Sequence, residues 1–432
     1  MNRVVARESC CHGWGMFYNV VFVRGGMVVE YEDSDTAAEL REKAHEFVQN
    51  EVIPVEREYL GDGPVPHEEI EDLREIAQER GIYCPQIDEE FGGGGYNFRD
   101  VLPLFEEAGK SLLGQAAMRV DAPDEGNMHT LEMFGSDEQQ EEWLKPLVAG
   151  EINSGFSMTE PMQGAGSDPK MMQTTAEKDG DEWVINGHKW WTTQGDEADL
   201  LLVMARTDMD AHPYSGTSII LVPIDADGVE IVEPTPHLGP SVVHESHAEI
   251  RYDDVRVPEE NLLGPENEGF AIAQERLGPA RLTHCMRFSG MAERALGIAK
   301  EYMQERAAFG DQLSEKQAQR FAIAEQETQL HAARTMVRHA AEKIARGEQA
   351  RIEVAMSKYY TANVVQETID LALQACGGAG ISRHLPLADF YESVRAFRII
   401  DGADEVHKRS IAREAFEEEN VPEGELTNLP RF

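Results

Sequence analysis

The sequence predicts an α+β protein with an N-terminal all-α domain, a middle β-barrel or orthogonal β-sheet domain and a C-terminal four-helix bundle. The main observation behind this prediction is the spacing of apolar residues, which is helical, then alternating, then helical again. We place the three regions at residues 30–152, 153–262 and 263–418, with an acidic tail over 419–432. The 432 residues are enough for two or three domains with cores of their own.

The composition is strongly acidic, with 80 acidic and 39 basic residues and a net charge of −41. Such a chain should be repelled by nucleic acid and by anionic membranes. The acidity runs along the whole chain, which suits a halophilic protein because salt screens self-repulsion; an ordinary acidic cytosolic protein is the alternative. The chain lacks an apolar stretch of roughly 18 residues, and its five cysteines show no paired spacing. We therefore expect a cytoplasmic protein with no metal site.

Residues 1–26 differ from the rest, because they contain three Arg and only one Glu. They lack the ordered basic, apolar and small-residue regions of a signal peptide. Cys10-Cys11-His12 offers three adjacent metal ligands but no fourth, which is weak evidence for a metal site. We expect this segment to be a non-native or disordered extension, with translation beginning at Met27.

The first region carries helical signals. Helices are predicted over residues 35–53, 67–80, 101–108 and 139–148. The first should end at Pro54, which has no backbone N–H. The four glycines at 92–95 could form a phosphate-binding loop, but no helix with Lys-Ser/Thr follows them, so a flexible turn is the preferred interpretation.

The middle region alternates in hydrophobicity, as strands do. Strands are predicted around residues 183–185, 200–204, 217–222 and 248–252. Asp179-Gly180 and Asn186-Gly187 have the composition of two-residue hairpin turns. In the last region, long helices are predicted over 272–307, 314–346, 350–376 and 403–418, which suggests an antiparallel bundle.

Asp401 follows an apolar run and precedes Gly402 and the last predicted helix. It could be the N-cap of that helix, with Asp404 and Glu405 favouring the positive end of the helix dipole. It could instead be a general base in an apolar pocket, with its pKa raised by desolvation. The residues alone leave both interpretations open.

Six motifs occur in a fixed order between residues 35 and 416. They are Glu90-Phe91-Gly92-Gly93, Gly135-Ser136-Asp137-Glu138-Gln139, Thr159-Glu160-Pro161 with Gly166-Ser167-Asp168, Lys189-Trp190-Trp191-Thr192-Thr193, Glu305-Arg306 with Phe309-Gly310 and Gln317, and Gln374 with Gly377-Gly378. Together they resemble the acyl-CoA dehydrogenase family. The segments Leu277 to Arg287 and Asp401 to His407 are similar to one branch, whose eukaryotic members can be fused to a phosphotransferase-like kinase.

The resemblance implies FAD-dependent α,β-dehydrogenation of an acyl-CoA thioester to the trans-2-enoyl-CoA. Asp401 would remove the α-proton, flavin N5 would accept the β-hydride, and an electron-transfer flavoprotein would receive the electrons. Some relatives carry the base immediately before the family arginine, but here Ala280 precedes Arg281 and alanine cannot be a base. Glu275, five residues earlier, is a weaker alternative.

The resemblance also assigns binding residues. Met158, Thr159, Ser167, Trp191 and Thr193 would contact the flavin, with Trp190 packing on the opposite face of its strand. Arg306, Phe309 and Gln317, with Gln374 and Gly378 from a neighbouring subunit, would hold the pyrophosphate and adenosine. Ala403 and Glu405 stand where the family often has a Thr and a Gln that contact the cofactor. Ser167, Arg281 and Gly402 would contact the substrate. A site shared between subunits implies a homodimer or homotetramer.

Three alternatives remain at this point. A flavin oxidase or monooxygenase on the same fold is disfavoured by the retained Asp401-Gly402. A non-catalytic flavoprotein, including the nucleic-acid-binding offshoot of the fold, is disfavoured by the acidic charge. His244, Glu245 and His247 could suggest a metal, although an exposed loop is the preferred interpretation. Chain length, branching and hydroxylation of the acyl group stay open.

Overall fold

The computed structural model describes residues 33–243 and 246–417, together with residues 420, 421 and 429. The expectations for residues 1–26, for a start at Met27 and for Cys10-Cys11-His12 lie outside the described residues. So do His244, Glu245 and most of the predicted tail.

The N-terminal region is all helical, as predicted. Its helices are α1 Asp35–Phe47, α2 Ile53–Tyr59, α3 His67–Glu79, α4 Phe98–Gly109, α5 Gly114–Ala117, α6 Asp124–Phe134, α7 Asp137–Gln139 and α8 Lys145–Ala149, with π-helical segments at Val48–Val52 and Gln140–Leu144. The prediction that Pro54 ends the first helix is wrong. The π-helical segment shifts the backbone hydrogen bonds just before Pro54, so the chain remains helical through α2.

Gly92 to Gly95 form a closed turn in which backbone N–H groups are already used. The N–H groups of Gly93, Gly94 and Gly95 donate to Asp88 O, Cys84 O and Ile87 O at 3.2, 3.1 and 2.8 Å. A Cβ at Gly93 would lie 2.1 Å from Ile87 O, so glycine is required there by close packing. The segment is a tight turn with no free amides for phosphate.

The middle region is a mixed sheet. Its strands are β1 Ser154–Ser157, β2 Thr175–Asp179, β3 Glu182–Thr193, β4 Leu200–Arg206, β5 Thr217–Pro223, β6 Val229–Pro234, β7 His247–Pro258 and β8 Leu262–Leu263. They lie in the order β6-β7-β3-β2-β4-β5-β8, with β1 pairing in parallel with β4. All four predicted strands are present.

Of the two predicted hairpin turns, the one at Asp179-Gly180 is present but shifted by one residue: Asp179 pairs with Glu182, so Gly180 and Asp181 connect β2 to β3, and Gly180 has a φ of 71°. The turn predicted at Asn186-Gly187 is wrong, because both residues lie inside β3 at an irregularity of its pairing with β7. A Cβ at Gly187 would lie 2.3 Å from the Thr174 hydroxyl, so this glycine serves a close approach within the sheet.

The C-terminal region is a helical bundle. Its helices are α9 Gly269–Glu305, α10 Gln317–Ala345, α11 Arg351–Cys376, α12 Leu387–Phe397 and α13 Asp404–Ala415, with a small hairpin of β9 Ala307–Ala308 and β10 Asp311–Gln312 between α9 and α10. The short helix α12 was not predicted. The α+β class with its order of helices, sheet and helices is confirmed, and no helix in the described part of the chain is long and apolar enough to cross a membrane.

Candidate active site

A cavity of about 2540 Å³ is lined by residues from all three regions. Eight of the predicted site residues lie on its wall: Met158, Thr159, Ser167, Trp191, Thr193, Arg281, Asp401 and Gly402. They come from the loop after β1, from the end of β3, from α9 and from the connection between α12 and α13. The fold thus brings residues that are distant in sequence to one space.

Asp401 lies in a backbone kink between α12 and α13. Its φ is 53° and that of Gly402 is 96°, so two successive residues adopt left-handed conformations. The N-cap of α13 is Ala403, and no side chain caps that helix end. The capping interpretation of Asp401 is therefore wrong. The kink instead turns its carboxylate away from the helix start and toward the cavity.

Side chains from three helices hold this kink through its carbonyl oxygens. Arg281 Nε donates to Asp401 O at 2.9 Å, and His407 Nε2 lies 3.2 Å from the same oxygen. The fully buried Lys358 donates to Gly402 O at 2.8 Å and to Phe397 O at 2.6 Å. The predicted substrate residue Arg281 thus also positions the backbone of Asp401.

The Asp401 carboxylate lies among positive charges rather than in an apolar pocket. Burial raises its pKa, but His284, Arg281, Arg276 and Lys358 outweigh that effect and hold the pKa below its usual value. The prediction of a raised pKa is therefore wrong in direction. Desolvation is present as expected, but the sequence pattern did not reveal the cations that oppose it.

The nearest of these groups is His284 on α9. Its Nδ1 lies 3.3 Å from Asp401 Oδ2 and 2.8 Å from Ala280 O. Burial, with the charge of Arg287, lowers the pKa of His284 to about 4. The imidazole is therefore neutral at pH 7. It lowers the pKa of Asp401 as a positive charge only when it is protonated, near pH 4 and below, whereas Arg276, Arg281 and Lys358 are the cations beside the carboxylate at neutral pH.

Trp190 and Trp191 both line the cavity, with ring centroids 5.9 Å apart. The expectation that Trp190 faces away is wrong. Between Lys189 and Thr192 the strand β3 has one residue more than its partner β7, and Trp191 in this bulge has a φ of 58°. The bulge breaks the alternation of faces. Trp191 remains 40% exposed, and the buried Trp190 Nε1 has no hydrogen-bond partner.

A buried ion pair holds the loop that carries Met158, Thr159 and Ser167. Lys189 Nζ donates to Glu160 Oε1 at 3.0 Å and to Met158 O at 2.9 Å. Glu160 also accepts from the backbone N–H groups of Ala165, Gln173 and Thr174 at 2.9, 2.8 and 2.8 Å. The motifs containing Glu160 and Lys189 are distant in sequence but form one structural unit.

Thr193 shares a hydrogen bond with His247, whose Nδ1 lies 3.0 Å from the hydroxyl. The His247 ring also lies 5.2 Å from that of Trp191. Within the described residues no group of His, Cys, Asp and Glu could hold a metal ion. His247 lies on the cavity wall, and its predicted metal partners His244 and Glu245 lie outside the described residues.

The remaining predicted cofactor residues do not line this cavity in the single chain. Arg306, Phe309, Gln317, Gln374 and Gly378 are exposed, Phe309 to 98%. Ala403 and Glu405 lie at the start of α13 but are absent from the cavity wall. Glu275, the alternative base, is on the wall with an exposed side chain.

The cavity wall is far less acidic than the chain. Its eight acidic residues are Asp121, Glu125, Glu160, Asp168, Glu197, Glu275, Glu348 and Asp401, and its nine basic residues are Arg74, Lys170, Arg276, Arg281, Arg287, Arg351, Arg395, Arg409 and Arg413. In the whole chain acidic residues outnumber basic ones 80 to 39. An anionic ligand therefore meets less repulsion at the cavity than the net charge of the whole chain would suggest.

Several site residues were not assigned a role from the sequence: His284, Lys358, His407, Arg276 and the pair of Glu160 and Lys189. His284, His407, Glu160 and Lys189 lie within the recognised motifs, which was a usable signal. Lys358 and Arg276 lie in ordinary helical segments, where charged residues are expected on solvated faces.

Comparisons with known proteins cover most of the chain. Family models for the acyl-CoA dehydrogenase N-terminal, middle and C-terminal domains match residues 34–151, 155–255 and 267–416. The protein named probable acyl-CoA dehydrogenase FadE2 of Mycobacterium tuberculosis is 42% identical over 89% of this chain and 96% of its own length. Acyl-CoA dehydrogenase family member 11 of Gallus gallus is 37% identical over 86% of this chain, which spans 49% of that longer protein.

Solved structures show the same likeness. A Mycobacterium abscessus structure superposes with a TM-score of 0.85 at 37% identity, over 89% of this chain and 98% of that one. Butyryl-CoA dehydrogenase from Megasphaera elsdenii has a TM-score of 0.81 at 28% identity, over 90% and 100%. The FAD complex of PigA has a TM-score of 0.81 at 25% identity, over 89% and 98%.

Proposed function

The chain is an enzyme of the acyl-CoA dehydrogenase family, and from that premise we propose that it oxidises an acyl-CoA thioester to the trans-2-enoyl-CoA with Asp401 as the base. The observation that carries the proposal is the kink at Asp401, which directs a carboxylate into the cavity and is held by Arg281, His407 and Lys358. A non-glycine residue whose backbone is held in a left-handed conformation is typical of a functional site.

The cavity wall fits a flavin, and we propose FAD. An orphaned buried donor at Trp190 Nε1 and the exposed ring of Trp191 offer a hydrogen bond and an aromatic surface to a planar heteroaromatic group. Met158, Thr159, Ser167 and Thr193 would hold it at the same wall. When bound, FAD supplies the acceptor for the β-hydride. Arg306, Phe309, Gln317, Gln374 and Gly378 would complete its site in a homodimer or homotetramer.

The cations around Asp401 suit proton removal from a weakly acidic carbon. As Asp401 accepts the α-proton it becomes neutral, while negative charge develops on the thioester oxygen nearby. Arg276, Arg281 and Lys358 stabilise the carboxylate before this transfer and the enolate during it. The lowered pKa of the base is thus compatible with catalysis, because the cations have a negative partner throughout.

The exposed arginines Arg351, Arg409 and Arg413 on the cavity wall suit the phosphates of CoA. Because the chain as a whole has a net charge of −41, these arginines make the cavity wall more favourable for the anionic CoA than an acidic surface would be. We also propose that the electrons pass to an electron-transfer flavoprotein, following the resemblance to the family.

Anaerobic titration of the purified flavoprotein with acyl-CoAs of several chain lengths tests the assignment. Flavin absorbance should bleach in the wild type and persist in Asp401→Asn. The matched control is Glu275→Gln, which neutralises the other candidate base on the cavity wall and should bleach normally. Normal reduction of Asp401→Asn, with loss of reduction in Glu275→Gln, would transfer the role to Glu275. Rapid reoxidation by oxygen, without an electron-transfer flavoprotein, would indicate an oxidase.

A further inference from the structure

The imidazole of His284 lies beside the Asp401 carboxylate, and its protonation can be deduced from its neighbours. Nδ1 lies 2.8 Å from Ala280 O and 3.3 Å from Asp401 Oδ2. A carbonyl oxygen only accepts hydrogen bonds, so Nδ1 carries the hydrogen and donates it to Ala280 O. The buried Asp401 Oδ2 lies beside this N–H but has no hydrogen-bond partner in the structure. In the neutral ring Nε2 is then the unprotonated nitrogen, and Nδ1 cannot receive a proton from Asp401.

The ring has little freedom to move. It lies 6.0 Å from Phe397 at an interplanar angle of 20° and 6.0 Å from Phe288 at 40°. Its residue is only 8% exposed. The N–H donor is therefore presented at a fixed point of the cavity floor, against one oxygen of the carboxylate.

The two oxygens of Asp401 are not equivalent. Oδ2, which faces His284, is buried, while the side chain as a whole keeps 16% of its surface exposed. Oδ1 is therefore the oxygen that remains open to the cavity. Only that oxygen is available to take a proton from a bound substrate.

We infer that His284 is a positioning residue for the base: in the substrate complex its Nδ1–H engages the unpartnered Asp401 Oδ2, so that Oδ1 faces the α-carbon of the substrate. The inference rests on the proposed role of Asp401. In the step itself, the α-C–H bond breaks, Oδ1 receives the proton, and the electron pair passes toward the thioester oxygen. His284 gains and loses no proton.

The charged and titratable groups around the pair come from every neighbouring element. They are Arg276, Arg281, Cys285 and Arg287 of α9, Glu125 of α6, Lys358 of α11, and Asp404 and His407 of α13. The positive groups oppose protonation of His284, so it stays neutral across the working pH range. If substituting His284 shifts the pH dependence of the reaction rate, that shift should therefore reflect a change in the pKa of Asp401.

Three substitutions separate positioning from packing. His284→Asn keeps an N–H donor near the place of Nδ1, His284→Gln moves the donor to the place of Nε2, and His284→Leu removes it. We expect flavin reduction to slow about 10- to 100-fold in the Leu and Gln variants, since a displacement of about 1 Å can cost about 100-fold. The Asn variant should stay within a few-fold of wild type, and KM should change little in all three.

The acid limb of the pH–rate profile should also move to higher pH in the Leu and Gln variants, because a hydrogen bond to the charged carboxylate is lost. Proton removal can be measured without hydride transfer by using a 3-thiaacyl-CoA, in which sulfur replaces the β-carbon. Exchange of its α-hydrogens with D₂O, followed by mass spectrometry, should slow in the same order as flavin reduction.

Wild-type exchange rates and pH dependence in His284→Leu or His284→Gln would overturn the inference. So would equal losses in the Asn, Gln and Leu variants together with lower flavin content and melting temperature, which indicate packing alone. Asp401→Asn is measured in parallel: if it exchanges like wild type, the proposed base is wrong, whereas an inactive Asp401→Asn beside a normal His284→Leu rejects only the role of His284.

Discussion

Replacing Lys189 with methionine removes the buried cation that ties the cavity loop to strand β3. Lys189 is 0% exposed and its partner Glu160 5% exposed, so neither charge is compensated by water. Burial also lowers the pKa of Lys189 to about 8, which shows that the ammonium depends on Glu160 to stay charged. Removing one partner of such a pair typically costs about 3–5 kcal/mol, because the other charge is left buried.

The structure favours the lower end of that range. Glu160 keeps three backbone N–H donors after the substitution, so its carboxylate remains partly satisfied. Methionine has a similar length and fills most of the space. We therefore expect a loss of about 3 kcal/mol in the free energy of unfolding and a lower flavin content, since Met158 O also loses its donor.

Lys178→Met on the neighbouring strand β2 is the matched control. Lys178 forms ion pairs with Glu259 and Glu266 at 2.6 and 3.1 Å, but its side chain is 40% exposed. Exposed pairs contribute about 0–1 kcal/mol. Denaturant unfolding followed by circular dichroism, with flavin content from absorbance, compares the two. Equal, small losses in both variants would refute the reasoning that burial makes the Lys189 pair important.

Three further outcomes are expected. Burial places the pKa of His284 and His407 at about 4, below the ordinary 6.5, so the unfolded chain binds more protons between these values. The free energy of unfolding should therefore fall as the pH drops from 6.5 to 4, by up to about 1.4 kcal/mol per pH unit for each histidine. His407→Asn should reduce the slope of the free energy of unfolding against pH. An unchanged slope would contradict the lowered pKa of His407. Arg409→Gln and Arg413→Gln should raise KM for acyl-CoA, most at low salt, with little change in the maximal rate of flavin reduction; Arg256→Gln on the sheet surface is the control, and equal effects would argue against a CoA role. Phe309→Ser should weaken subunit association and FAD retention, measured by sedimentation and absorbance, because a ring that is 98% exposed in the single chain would be covered by the neighbouring subunit at the proposed shared site; an unchanged oligomer would count against a shared site.

The three-part architecture could be predicted because apolar spacing is a local property of the chain. The same locality explains the errors. The sequence pattern does not predict helix α12, because the helix has only 11 residues and follows a segment rich in glycine and proline, which indicate turns. Trp190 was assigned to the wrong face because a bulge depends on the partner strand, which single-strand alternation ignores.

The charge around Asp401 could not be predicted from its own segment. Arg281 is 120 residues away in sequence, and His284 and Lys358 come from two different helices. Only the packing of α9, α11 and the α12–α13 connection brings them together. The resemblance therefore indicates Asp401 as the proposed base, while the direction of its pKa required the structure.

The conformation of Asp401 links the choice of residue to its task. A φ of 53° is costly for most side chains, but aspartate tolerates the left-handed region better than a longer or β-branched residue does. The following glycine, at 96°, cannot be replaced freely, because a Cβ there would lie 3.0 Å from His407 Nε2. The kink places the Asp401 carbonyl oxygen against Arg281 and His407. A short carboxylate on a backbone held this close can reach both His284 and the cavity, so the kink and the aspartate depend on each other.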